Sequence, residues 1–599
     1  MAWYDEAVFY HIYPLGLAGA PKQNDYGEPV HRLNTLLPWV DHIKEIGGSA
    51  LYIGPLFESV GHGYETTDYK KLDSRLGTNE DLTAFVAYCH EQGIKVIFDG
   101  VFNHTGRDFF AFKYIQANRE NSQYKDWYCN VNFWGNNEYN DGFSYDNWGG
   151  YNLLVKLNQK NPAVVDYICD VIRFWVSEFD VDGIRLDAAD VLDFDFMKAL
   201  RRTANEVKPD FWLMGEVIHG DYSRWVNGET LHSVTNYTLH KALYSGHNDH
   251  NYFEIAHTVR RLQNMGTLKL YNFVDNHDVE RIYTKLTNKA HFAPVHVLLY
   301  TLPGVPSIYY GSEFGIEGRK EYGSDDSLRP ALNIEDYKDS VKTNPCTALI
   351  AALGKVRQAV PALSYGSYDE LMLTNRQFAY ARDLDGTRVI VSVNNDDAPA
   401  GMHLAAGNCT AYIGALSGEK VSVQDGHINI TQPANSGEIW VPEGTDLDVK
   451  PVKVVTKTDS EAKTNTEDKA ASETATDAKG NKEAEPKIES KESKDIVTAT
   501  ESADAKKNTT DIEKNTTAAN EVKDSAKDAS AQAAADTPVD PETITVDWSK
   551  SPESMTVPEL QAAILAKLAG NGPVDAQMKK TVVDNIWHDS LVNWLKSFR

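Results

Sequence analysis

The chain has 599 residues and a formal net charge of -27. That length exceeds one compact core, since domains usually run to roughly 100–250 residues, so two or more folded units are expected. The acidic balance would repel nucleic acid or an anionic membrane at long range and suits an uncharged substrate.

The N-terminal stretch MAWYDEAVFYHIYPL enters a strand pattern at once, with no charged region followed by an apolar leader, and no later run is long enough to span a bilayer. A cytoplasmic protein is expected. From the start to about residue 315, short apolar runs alternate with segments of helical period, the pattern of β/α units around a parallel sheet. The candidate strands are AVFYHIYP, ALYIGP, IKVIFDG, DGIRLD, FWLMGE, HSVTNY, LYNFVDNHD and VPSIYYG. Their number is that of a closed (β/α)8 TIM barrel. Between them, Thr78 is placed to cap a helix whose apolar face is Leu82, Phe85, Val86 and Cys89, with Gly93 as its stop. Pro162 opens another, with Val165, Ile168, Ile172, Trp175, Val176 and Phe179 at helical spacing.

One connection breaks the rhythm. Roughly 60 residues separate Asp99 from Pro162, where a strand-to-helix loop takes about 2 to 6, so a small inserted domain over the barrel mouth is expected. Its aromatics, as in NFWGNNEYNDGFSYDNWGGYN, could stack on sugar faces or form the insert's own core. After about residue 365 the texture becomes short alternating runs (RVIVSVNN, HINI, EIWVPEG) between Gly, Asn and Asp turns, which predicts a β-sandwich. Then comes a stretch of Lys, Glu, Asp, Ala, Thr and Ser with hardly an aromatic, which predicts disorder. At the end, PELQAAILAKLAG and TVVDNIWHDSLVNWLKSF predict two amphipathic helices packed on each other or on an unknown partner. The expected organisation is a barrel over 1–102 and 161–364, an inserted domain over 103–160, a β-sandwich over 365–445, a disordered linker over 446–540 and a small helical segment over 541–599. Five cysteines (Cys89, Cys129, Cys169, Cys346, Cys409) show no CxxC pair, so neither a disulfide framework nor a thiolate metal site is indicated.

In a barrel of this kind the strands' C-terminal ends share one rim, where residues distant in sequence converge. The third strand ends in Asp99, followed by Asn103 and His104; the fourth in Arg185 and Asp187; the fifth in Glu216; the seventh in His277 and Asp278. One strand ending in Asp is readily explained as a helix cap. Four strands doing so together place acids in one cleft, where they repel and shift each other's protonation. Glycoside cleavage needs that combination: a carboxylate to attack the anomeric carbon, an acid to protonate the leaving oxygen, and negative charge at an oxocarbenium-like centre.

The motifs DGVFNH, GIRLDAAD, GEV and FVDNHD, in this order at strand ends, resemble those of the α-amylase family of glycoside hydrolases, glycoside hydrolase family 13, and HGYETTDYKKLDSRLGTNEDL resembles its segment after strand two. The resemblance runs over about residues 1–445. It implies Asp187 as nucleophile, Glu216 as general acid/base and Asp278 as transition-state stabiliser. It implies Arg185 orienting Asp187 and keeping it ionised, with Asp99 behind it; His104 and His277 bonding sugar hydroxyls; Tyr64 stacking under the ring; and, from GSDDSLRP, Asp325 and Arg329 on the non-reducing side. Many α-amylases follow the nucleophile motif with Lys and His, the His backbone serving a calcium, whereas Asp190 and Val191 stand there in this chain. Asn103 matches one calcium position, but one ligand does not make a site for an ion that takes about 6 to 8 oxygens; a bound calcium is in doubt and no cofactor is called for. The implied activity is retaining hydrolysis of α-1,4-glucosidic bonds in maltooligosaccharides or related α-glucans. The same acids would serve a transglycosylase or isomerase acting on trehalose or sucrose. Intact Asp187, Glu216 and Asp278 speak against a non-catalytic sugar-binding protein.

Overall fold

A computed structural model describes residues 2–321 and 324–452 and, near the C-terminus, 546, 548, 550–552, 555–569 and 595. The eight apolar runs form one parallel sheet: β1 (Phe9–Ile12), β2 (Ala50–Ile53), β3 (Lys95–Gly100), β4 (Gly183–Leu186), β5 (Trp212–Gly215), β6 (Ser233–Val234), β7 (Tyr271–Asn272) and β8 (Val305–Tyr309). Their order is β6-β5-β4-β3-β2-β1-β8-β7, and a parallel bridge between Thr235 and Tyr271 joins its two ends into a barrel.

Register decides which side chains enter the barrel. Phe9 pairs with Ala50, Ile97 with Gly183 and Gly183 with Trp212. Side chains alternate along a strand, so this layer and the one two residues on share the interior. Phe9, Ala50, Ile97, Trp212 and Val305 belong to one buried apolar plug, in which Phe9 and Trp212 stack at 4.9 Å. The next inward positions are His11, Tyr52, Asp99, Arg185 and Met214, with Asp99 directly opposite Arg185. The outward residues Ile53, Phe98, Ile184 and Leu213 pack in the main core with the surrounding helices.

Those helices start and stop where local chemistry says they should. Asn79–Glu91 has Thr78 as N-cap in a capping box with Asp81, and Gly93 follows at φ 80°. Pro162–Phe179 is capped by Asn161 and ended by Asp180 in the left-handed region. Its buried face is Val164, Ile168, Cys169, Val171, Ile172, Trp175 and Phe179; Val165 and Val176, expected on that face, lie at its half-buried edge.

The segment between β3 and Pro162 holds a helix, Phe110–Asn118, and a small antiparallel sheet of His104–Thr105, Tyr151–Lys156 and Asn147–Trp148. Its aromatics divide. Phe112, Tyr128, Phe143 and Tyr145 are buried against one another, whereas Trp134, Tyr139 and Tyr151 are exposed. Beyond the barrel, a six-stranded antiparallel sheet faces the pair Ala400–Ala405 and His427–Gln432, with Ile390, Met402, Leu404, Tyr412, Ile428 and Trp440 buried between them. This is the expected sandwich.

Barrel and sandwich share a polar seam. The helix Phe292–Thr301 ends with Arg357 donating to Tyr300 O (2.8 Å) and Gly304 O (2.7 Å), while Arg382 of the sandwich donates to Thr301 O (2.5 Å). Burial pulls the two guanidinium groups down to about 9 and about 10. Both are placed where a helix presents unpaired carbonyls and the negative end of its dipole.

The second unit, Lys482–Arg599, contains the helix Val557–Ala569, whose Leu560, Ala563, Ile564 and Leu565 cluster with Met555 and Leu595. The expected disordered linker lies, from residue 453 on, outside the described residues, as does all of the expected last helix but Leu595. Among the described residues no helix is long and apolar enough to cross a membrane, and all five cysteines are free thiols.

Four buried histidines make a testable case. Burial holds His240 and His247 down to about 3 and His291 and His296 to about 4, against 6.5 unperturbed. The unfolded chain therefore binds more protons than the folded one between about pH 6.5 and 4, so this stability is full above 6.5 and is lost as pH falls. Urea unfolding should show a decline on the order of 1 kcal/mol per pH unit for each histidine in that window. A flat profile between pH 6.5 and 4.5 would exclude it.

Candidate active site

Arg185 and Asp187, two residues apart and with the same inward orientation, meet the ends of β3 and β5. The Arg185 guanidinium is buried; its Nη1 donates to Asp99 Oδ1 (2.8 Å), Asp99 Oδ2 (3.1 Å) and Asp187 Oδ1 (2.9 Å), and its Nη2 reaches Glu216 Oε2 at 2.7 Å. Asp99 also accepts from the hydroxyls of Tyr52 (2.8 Å) and Tyr64 (3.3 Å). Glu216 Oε1 accepts from Tyr237 (2.9 Å), which itself accepts from Asn276 Nδ2 (3.2 Å).

A second cluster surrounds Asp278. Arg329 Nη2 donates to Asp278 Oδ1 (2.7 Å) and Asp325 Oδ2 (3.0 Å), and its Nε donates to His277 O (3.0 Å). His277 Nε2 lies 3.0 Å from Asp278 Oδ2. Tyr64 links the two clusters, because its hydroxyl meets His277 Nε2 as well as Asp99. The ring of Tyr13 lies parallel to that of His277 at 5.9 Å and under the Arg329 guanidinium at 4.7 Å.

The electrostatics of the two clusters differ. Burial pushes the Asp187 carboxyl well up; Arg185 pulls it down, but Asp99, Glu216 and Asp278 add to the upward push and the net direction is up. Three carboxylates share one guanidinium, so its single positive charge does not offset the repulsion that Asp187 feels. Burial also works against charge on Asp278, but His277, Arg329 and Arg185 outweigh it and hold this carboxyl well below the usual range.

All the sequence-predicted residues reach this rim. His104 is buried, and burial lowers it to about 4, so it is neutral near pH 7; its Nε2 donates to Tyr64 O (3.2 Å), and its ring parallels Trp148 of the inserted segment at 6.5 Å. Asp190 sits on the 3-10 turn Ala189–Val191, next to β5: a Cβ added at Gly215 would lie 2.6 Å from that of Ala189. Sequence reasoning missed Tyr52, Tyr237, Asn276 and Tyr13. Tyr52 had a usable signal, an inward hydroxyl one strand from Asp99; the others sit where a strand-end ring or amide has no distinguishing pattern.

Asn103, the residue matching a calcium position, has its Oδ1 committed to Gln159 Nε2 (3.3 Å) and its backbone oxygen to Leu157 N (3.0 Å). Among the described residues no group of three or more His, Cys, Asp or Glu is placed to hold a metal. Asn103, the one residue matched to a calcium position, thus spends these oxygens on hydrogen bonds within the protein.

A parallel barrel with acids at the C-terminal ends of β3, β4 and β5 and just beyond β7 holds the carboxylates that glycoside cleavage needs on the rim where barrel enzymes carry their active sites. Residues 32–355 match the family model for the α-amylase catalytic domain. The chain is 31% identical over 422 residues to a cyclomaltodextrinase of a Bacillus species, covering 66% of this chain and 74% of that one. It is 32% identical over 419 residues to a cyclomaltodextrinase of Thermoanaerobacter pseudethanolicus, covering 66% and 71%. A solved cyclomaltodextrinase structure superposes with a TM-score of 0.66 at 26% identity, covering 73% of this chain and 78% of that one. The chain belongs to the α-amylase family of glycosidases.

Removing the shared cation tests the electrostatic reading. Arg185→Ala should cost roughly 3–5 kcal/mol in urea unfolding at pH 7.5, because it strands buried carboxylates. The loss relative to wild type should shrink at pH 5.5 as the cluster takes up protons. A variant as stable as wild type at pH 7.5 would contradict this account.

Proposed function

We propose that the protein is a retaining hydrolase of α-1,4-glucosidic bonds in maltooligosaccharides or related α-glucans, cyclic maltodextrins among them. The observation that carries this reading is the pair of carboxylates, Asp187 and Glu216, on the two terminal nitrogens of one guanidinium. That arrangement brings together the two carboxylates a retaining mechanism uses, one as nucleophile and one as acid/base. The relatives' names, cyclomaltodextrinases at 31–32% identity, support the substrate class.

In this reading Glu216 protonates the glycosidic oxygen as Asp187 attacks the anomeric carbon; the C–O bond breaks and a glycosyl ester forms on Asp187. To reach the leaving oxygen, Glu216 turns Oε2 away from Arg185. The guanidinium is then shared by Asp99 and Asp187 alone, which lowers Asp187 and readies it as a nucleophile. Asp278, held ionised by His277 and Arg329, faces the positive charge that develops on the ring. Glu216 then accepts a proton from water as that water opens the ester. The Tyr237 hydroxyl, bonded to Glu216 Oε1, anchors that oxygen while Oε2 turns. Tyr64, His104 and His277 hold the sugar at the cleaved bond, and Arg329 and Asp325 close the non-reducing side.

Asp187→Asn and Glu216→Gln should each lower turnover on maltotriose by several powers of ten. Azide should restore part of the Glu216→Gln rate only on aryl glycosides with good leaving groups; near-wild-type activity in either variant rejects the roles. Two inversions at the anomeric carbon require the first product to keep the α configuration, which proton NMR during early hydrolysis of maltotriose reads directly. A β anomer appearing first would mean that Asp187 does not form the ester. Chromatography of the products from maltotriose, trehalose and sucrose separates hydrolysis from transfer to a second sugar.

A further inference from the structure

The inserted segment carries a feature that the reaction above does not use. The turn Asn132–Gly135, closed by hydrogen bonds from Gly135 N to Asn132 O (3.1 Å) and from Trp134 N to Asn132 Oδ1 (3.0 Å), presents Trp134 at its tip with 98% of its surface in solvent. The same segment buries Phe112, Phe143 and Tyr145, so its core is complete without this indole. Leaving so large an apolar ring in water forgoes the burial that normally places Trp, and points to something that covers it.

Phe133, beside Trp134, forms part of the wall of a cavity of about 390 Å³ whose lining also includes Lys125, Tyr128, Cys129, Asn130 and Asp146. Asn130 is held at φ 53° with its Nδ2 donating to Asp146 Oδ2 (2.8 Å), which fixes a planar amide and a carboxylate side by side. Lys125 disfavours a cation in this space, and Asp146 with Asp126 disfavours an anion. Aromatic rings together with planar polar groups fit a neutral polyol, whose C–H faces stack while its hydroxyls pair with the amide and carboxylate.

We propose that Trp134 and this cavity form a second, non-catalytic binding site for an α-glucan chain. The glucan class rests on the proposed function; the site itself rests on the turn and the cavity. The strand Tyr151–Lys156 ties it rigidly to the cleft: Lys156 pairs with His104, and the Lys156 backbone N–H donates to Asp146 O (3.0 Å). A chain held here raises the effective concentration of its other end at Asp187 without adding a contact to the reacting sugar.

Cys129 provides a local probe, since it is a free, part-exposed thiol in the cavity wall, with Cys409 of the sandwich as internal control. In the full chain carrying Asp187→Asn, maltoheptaose should slow iodoacetamide alkylation of Cys129 severalfold, read by peptide mass spectrometry, and leave Cys409 unchanged. The protection should persist when 1-deoxynojirimycin fills the cleft and should vanish in Asp187→Asn/Trp134→Ala and in Asp187→Asn/Asn130→Ala. Trp134→Ala alone, at a fully exposed position, should bind amylose about tenfold more weakly while its turnover of maltotriose stays within about twofold of wild type. Absence of Cys129 protection at saturating maltoheptaose, its loss on adding deoxynojirimycin, or its survival without Trp134 would overturn the proposal. Failure of the proposed function shows differently, as a wild-type protein that cleaves no α-glucoside, whatever happens at Cys129.

Discussion

One guanidinium confronting three carboxylates inside a barrel is the constraint around which this molecule is arranged. Arg185, Asp99, Asp187 and Glu216 all lose water, and charges brought into a low-dielectric interior repay that loss only when their geometry is good and their remaining lone pairs are bonded. The fold meets both demands through side-chain size. Gly183 leaves room beside Trp212, since a Cβ there would lie 2.5 Å from Trp212 O, and Gly54 leaves room for Asp99, whose Cβ would be 2.4 Å away. Below the charges, the stacked Phe9 and Trp212 fill the barrel and help to exclude water from that side.

The two clusters use opposite electrostatics at short range. Around Arg185 acids outnumber cations, and burial together with the neighbouring carboxylates pushes Asp187 up. Around Arg329 the balance favours charge, and Asp278 stays ionised despite burial. The proposed reaction, which delivers a proton and also stabilises a cation, needs both regimes, and environment rather than residue type separates them. Tyr64, bonded toward Asp99 and His277, is the physical link that keeps them in register.

Much of this was legible in the sequence because the informative signals were short-range. Strand alternation placed Arg185 and Asp187 on one face, and Thr78 announced a helix start that the structure shows. What stayed hidden depends on contacts between distant residues. The hydroxyl of Tyr237 meets Glu216 across the β5–β6 boundary, yet in the run HSVTNY the ring is indistinguishable from an ordinary core tyrosine. Trp134 and Phe143 stand nine residues apart in one aromatic stretch, and nothing local says that one faces water and the other the insert's core. The upward shift of Asp187 was equally out of reach, since it needs three other carboxylates at known positions.

The sandwich domain is tied to the chemistry through backbone carbonyls. Helix Phe292–Thr301 delivers the chain into β8, and the loop after β8 carries Asp325 and Arg329. Arg357 and the sandwich's Arg382 hold the carbonyls of Tyr300, Thr301 and Gly304 at the entry to that strand. At its exit the buried Arg281 donates to Tyr310 O (2.8 Å), Ser312 Oγ (3.0 Å) and Leu328 O (3.0 Å), the last of these being the residue before Arg329. Both ends of β8 are thus pinned by arginines bonded to main-chain oxygens, which leaves the Arg329 guanidinium little freedom to leave Asp278. A domain that contributes no side chain to either acid cluster therefore helps set the position of the cation that keeps Asp278 charged.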